Sequence, residues 1–114
     1  MSAKDVLNLV LESLDDSKAE ETISIEIADK SSIADHMIVT SGRSHRHVNA
    51  VADRLMRDLK DAGLGAPKVE GMPACDWVLV DCGDVITHIF RPEVRDFYNL
   101  EKMWSAVAEE PQEA

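Results

Sequence analysis

The sequence predicts a single α+β domain in which helices lie on a mixed β-sheet. Three observations carry that expectation. Two apolar stripes recur at helical spacing, around residues 6–14 and 48–59. Five short runs are rich in β-forming residues. The resulting order, α-β-β-α-β-β-β-α, contains no linker, internal repeat or low-complexity block, and 114 residues suffice for one core that needs no disulfide or metal.

Each element has its own warrant. Ser2 with Asp5 three positions later is a capping box, and Val6, Leu7, Val10, Leu11 and Leu14 form the stripe of a helix ending near Ser17. Ile23, Ile25 and Ile27 alternate with Ser24 and Glu26, the pattern of a half-buried strand. Residues 31–35 read as a turn, and 36–41 as a mostly apolar strand. Gly42 breaks that strand, and Ser44 caps a helix whose inner face is Val48, Val51, Ala52, Leu55, Met56 and Leu59. Asp53–Arg57 and Arg54–Asp58 are i,i+4 pairs on its outer side, and Gly63 ends it. Residues 68–70 make a short strand. Runs 76–81 and 85–90 then flank Cys82-Gly83-Asp84 and predict a hairpin. Pro92 suits the first turn of a last helix, continued past Asn99 by Leu100, Met103, Trp104 and Val107. The domain is expected over residues 1–108, with a disordered acidic tail at 109–114.

Composition narrows the function classes. Twelve Lys and Arg against 22 Asp and Glu give a net charge of −10, which repels phosphate backbones and argues against direct nucleic-acid recognition. Such acidity suits a basic protein partner; it serves solubility equally well. No apolar run reaches the roughly 18 residues of a membrane span, and the acidic N-terminus is unlike a signal or transit peptide, so a cytoplasmic protein is expected. Cys75 and Cys82 have neither zinc-site nor disulfide-framework spacing and read as reduced, packed thiols. His45 and His47, at i,i+2 on a helix start, point to different sides and read as a solvated helix start, so no metal is expected.

Catalytic motifs are missing. Residues 40–44, Thr-Ser-Gly-Arg-Ser, faintly resemble the turn before a nucleotidyltransferase carboxylate pair, yet no Asp-x-Asp follows. Asp81 and Asp84 flank a tight turn instead. There is no Gly-rich phosphate loop and no Gly-x-Ser-x-Gly elbow, so neither catalysis nor a cofactor is expected.

Three segments, residues 31–53, 76–90 (DWVLVDCGDVITHIF) and 95–104 (RDFYNLEKMW), together resemble the Iojap, or ribosomal silencing factor, family in order and spacing. The resemblance implies a nucleotidyltransferase-like fold without nucleotidyl transfer. It also implies binding to ribosomal protein fourteen of the large subunit, a steric block to subunit joining, and repression of translation when nutrients are scarce. Cys82 and Thr87 stand where the family commonly has bulkier apolar or aromatic residues, a difference expected to bear on packing. Arg91-Pro92 is a local variant at the start of the last helix.

With that family in view, Trp77 reads as an aromatic anchor beside Asp76, with Asp81 two pleats further along the same face to accept hydrogen bonds from Lys or Arg. The competing reading makes Trp77 a core residue and Asp81 a turn-closer. Asp84 belongs to the same contact set, though an Asp beside Gly83 also shapes the turn. His88 reads as a structural histidine. On the last helix Tyr98 and Glu101 are assigned to the interface and Trp104 to the core edge. The expected partners are the large subunit and a homodimer through the same patch; a self-associating adaptor with another basic partner, or an enzyme on the same fold, are the competing functions.

Overall fold

In the computed structural model, residues 2–28, 34–65, 67–72 and 74–98 are described. The elements are α1 (Ala3–Asp16), β1 (Glu20–Glu26), β2 (His36–Ser41), α2 (His45–Asp61), β3 (Lys68–Glu70), β4 (Trp77–Asp81), β5 (Val85–Phe90) and α3 (Pro92–Tyr98). Their order matches the expectation. One five-stranded sheet runs β1-β2-β5-β4-β3, with β2 and β5 parallel and every other pair antiparallel. It is the mixed α+β architecture that the sequence pattern implies.

Local chemistry sets the helix ends. The Ser2 hydroxyl accepts from Asp5 N–H at 3.1 Å while the Asp5 carboxylate accepts from Ser2 N–H at 3.2 Å, which satisfies two otherwise orphaned donors. The Ser44 hydroxyl likewise accepts from His47 N–H at 3.1 Å. His47 is more than part of a solvated helix start. Its Nδ1 accepts from Arg43 N–H at 2.9 Å, so Nε2 carries the proton and donates to the Ser17 carbonyl at 3.0 Å. The end of α1 is thereby tied to the start of α2. Gly42 is equally constrained, since a Cβ there would lie 2.8 Å from Val48 Cγ2.

Helices α1 and α2 cover one face of the sheet. Val6, Val10 and Leu14 of α1 and Val48, Val51, Leu55 and Leu59 of α2 pack with Ile38, Val78, Val80, Val85 and Ile89. The opposite face carries a second cluster of Ile25, Ile27, Met37, Val39 and Phe90, joined by Trp77, Ile86 and Val94 of α3. Strand alternation sorts residues between the two: Val78 and Val80 point to the helices, whereas Trp77, Leu79 and Asp81 stand on the other side, half-buried. Ile23 departs from the expected strand pattern. It lies on edge strand β1 and remains 39% exposed. A bulge between Glu20 and Ile23, with Glu21 at φ 50°, interrupts that edge. The predicted continuation of the last helix and the acidic tail lie outside the described residues.

Thr87 occupies a helix-facing position of β5 between Val85 and Ile89; it is 1% exposed, and its hydroxyl has no partner among the described residues. The packing consequence expected of this residue is therefore an orphaned hydroxyl in the core. Replacing such a group by an isosteric methyl removes its desolvation cost. Thr87→Val should raise the unfolding free energy by about 1 kcal/mol, read as a higher urea midpoint with an unchanged slope.

Candidate functional site

The β4–β5 hairpin positions the candidate site. Cys82 and Val85 close a turn at Gly83-Asp84, and the resulting register sets Trp77 opposite Phe90, Leu79 opposite His88 and Asp81 opposite Ile86. Trp77, His88 and Phe90 consequently form an aromatic group on the face away from α1 and α2. The Trp77 and Phe90 rings stack at 4.9 Å between centroids, and His88 lies 5.9 Å from Trp77 and 6.1 Å from Phe90. The Trp77 indole N–H donates to His88 Nδ1 at 3.0 Å. Burial drives the His88 pKa from its ordinary value down to about 4, so the ring is neutral near pH 7.

Beside this group lies a groove of about 260 Å³ lined by Glu70, Gly71, Trp77, Leu79 and His88. Gly71 is required there. Its φ is +89°, and a Cβ would come within 2.2 Å of the Trp77 carbonyl oxygen. The glycine lets the chain entering β4 pass directly against the tryptophan backbone.

Asp76, expected on the contact surface, is engaged within the chain. Its Oδ1 accepts from His45 Nε2 at 2.8 Å and from Arg91 Nε at 2.9 Å. These two hydrogen bonds, His45 first, hold its carboxyl below the usual carboxylate range. The Asp76 carbonyl also accepts from Arg91 N–H at 3.0 Å, and Arg91 Nη1 pairs with Glu93. This clasp joins the starts of α2, β4 and α3. A second link reaches α3 from β2, where buried Arg95 donates to the Ser41 hydroxyl at 2.8 Å.

Asp81 stands on the Trp77 face as expected, and its carboxylate accepts from Gly83 N–H at 2.9 Å, so it also closes the hairpin turn. Asp84 is exposed, while its carbonyl accepts from Asp35 N–H at 2.9 Å and His36 N–H at 3.1 Å, anchoring the start of β2. Tyr98 is the last residue of α3, with its side chain outside the described part; Glu101 and Trp104 lie outside it entirely. Sequence reasoning brought Trp77 and Asp81 together but missed the place of His88 and Glu70 beside them. Counting the hairpin register outward from a two-residue turn at Gly83-Asp84 would have put His88 opposite Leu79, on the Trp77 face. Both thiols are free, and burial pushes Cys75 and Cys82 up from their ordinary pKa. Among the described residues no group of three His, Cys, Asp or Glu is placed to hold a metal, and no helix is long and apolar enough to cross a membrane.

Fold and sheet together define a small α+β domain of a kind already seen in crystals. A crystal structure of a protein from Chromobacterium violaceum superposes with a TM-score of 0.89 at 37% identity, covering 92% of this chain and 88% of that one. The family model described as ribosomal silencing factor during starvation matches residues 1–114. Ribosomal silencing factor RsfS of Zymomonas mobilis is 57% identical over 99 residues, which cover 87% of this chain and 74% of the relative. A mouse protein, mitochondrial assembly of ribosomal large subunit protein 1, is 30% identical over 108 residues, spanning 92% of this chain and 47% of that protein. The chain belongs to the ribosomal silencing factor family.

Two outcomes follow from this geometry. Gly71→Ala should cost about 2 kcal/mol or more, since both the backbone angle and the space oppose a methyl group; urea denaturation measures it. His88 should make stability fall in acid. The unfolded ring takes up a proton below about pH 6.5 and the folded ring only near pH 4, so its contribution is intact above about 6.5 and drains away as pH falls toward 4. Between pH 7 and pH 4.5 the parent should lose roughly 2–3 kcal/mol more than His88→Asn in parallel denaturation curves.

Proposed function

We propose that this chain binds the large ribosomal subunit through ribosomal protein fourteen and sterically blocks its joining to the small subunit, repressing translation in the cytoplasm under nutrient limitation. The observation that carries the reading is the half-buried Trp77 on a sheet face that α1 and α2 leave uncovered, beside a groove with Glu70 at its wall. An aromatic anchor with nearby carboxylates is the chemistry that holds a basic protein surface. Family membership supports the ribosome as the place of action. The name of the mouse relative, which refers to assembly of the large subunit, supports the choice of subunit.

The proposed contact set is Trp77 with Asp81, Asp84, Tyr98 and Glu101. Asp76 acts in this reading by holding the start of β4, since its carboxylate is occupied by His45 and Arg91. The action is binding without catalysis. Self-pairing into a homodimer through the same face belongs to the reading, with exposed Ile23 a further apolar group at the β1 edge of the sheet. Only the monomer then docks.

Light scattering of purified large and small subunits tests the proposal. The parent chain should suppress the rise that marks joining. Trp77→Ala should require roughly 30- to 1,000-fold more protein for the same effect, with circular dichroism confirming that the variant is folded. Joining unaffected by excess parent chain overturns the proposal.

A further inference from the structure

His88 is treated by its strand position as a structural residue, but its hydrogen bonding leaves it with something to offer. The Trp77 indole nitrogen can only donate, so the 3.0 Å contact makes His88 Nδ1 an acceptor. A neutral imidazole that accepts at Nδ1 carries its single proton on Nε2. Burial keeps the ring neutral at physiological pH. Nε2–H finds no acceptor among the described residues, and the ring lines the groove between Trp77, Leu79 and Glu70. The tautomer is therefore set by the fold before any partner arrives, and an unused donor stands in a wall that is otherwise mostly apolar.

We propose that His88 Nε2–H is a pre-set hydrogen-bond donor that receives a backbone carbonyl of a basic protein segment, whose apolar side chain fills the groove between Trp77 and Leu79. The inference rests on the proposed partner-binding role of this face and adds the chemistry of the segment it accepts. Glu70 supplies the charge complementarity: it is exposed at the end of edge strand β3, directly across from Leu79, where a Lys or Arg adjoining the apolar side chain reaches it. A nucleic-acid backbone is disfavoured by the same carboxylate and by the net charge of −10. A pre-set donor also raises affinity economically, because no tautomer or rotamer has to be selected on binding.

Two measurements on the full chain decide the matter. Long-range ¹H–¹⁵N correlation spectra of the free protein at pH 7 should place the His88 proton on Nε2; a proton on Nδ1 overturns the proposal. Binding to purified large subunits is then compared for two variants. His88→Gln keeps an amide donor near the Nε2 position. His88→Asn keeps an acceptor for the Trp77 indole and loses the outer donor. Glutamine should bind within about threefold of the parent and asparagine about tenfold more weakly. A purely structural histidine gives the reverse order, since glutamine then leaves the indole N–H without its partner, and thermal midpoints of both variants report that effect separately. Equal or reversed binding overturns the donor role while leaving subunit binding by the parent intact. A parent chain that does not bind large subunits overturns the proposed function, and with it the occupant named here.

Discussion

Strand β5 lies at the centre of the sheet, parallel to β2 on one side and antiparallel to β4 on the other. Its register with β4 is the constraint on which the rest depends. Because side chains alternate with a period of two, a slip of β4 by one residue would send Trp77 under the helices, away from His88, and bring Val78 and Val80 to the other face. The register is held from both directions. Val78, Val80, Val85 and Ile89 are fully buried against α1 and α2. At the turn, the Asp81 carboxylate holds Gly83 N–H, and Gly83 takes the positive φ of 96° that the tight connection needs. Packing of the helical side thus determines which aromatic groups the opposite side presents.

The polar links serve the same end. Asp76 gathers His45, Arg91 and, through its carbonyl, the backbone that leads into α3. Its carboxylate is about half exposed, so the clasp adds little to overall stability. Its effect is on direction: it fixes where α3 leaves β5, next to Trp77 and Phe90. Arg95 reaches Ser41 from the same helix and, being buried, is held by geometry that a surface pair lacks. A carboxylate that looks free in the sequence is in this way used up in orienting the neighbours of Trp77.

Most of the architecture was legible because it follows from local rules. The capping box at Ser2, the α2 stripe, the hairpin around Gly83 and the helix start at Pro92 each depend on residues within a few positions of one another. Trp77 and Asp81 on one face followed from strand alternation. The remainder needed contacts distant in sequence. His45 lies 31 residues from Asp76, and Arg95 lies 54 from Ser41, and no local pattern announces such pairs. Ile23 was expected to be buried because alternation says which face a residue takes; it does not say whether a neighbouring element covers that face at the sheet edge. His88 was read by type, although the register that places it beside the indole was countable from the turn.

The neutrality of His88 bears on how so acidic a domain can recognise anything selectively. A net charge of −10 draws basic surfaces of every kind, and long-range attraction raises encounter rates without choosing among them. Selection requires contacts that are made only when shapes agree. In the proposed reading the Trp77 ring, the groove beside it and a donor held in one tautomer make contacts of that sort. Each lies on the sheet face away from α1 and α2, where Glu70 and Asp81 also stand, with Asp84 at the hairpin turn. In the proposed reading, attraction at distance and discrimination at contact fall to different residues, and the β4–β5 register sets Trp77, His88 and Asp81 on one face.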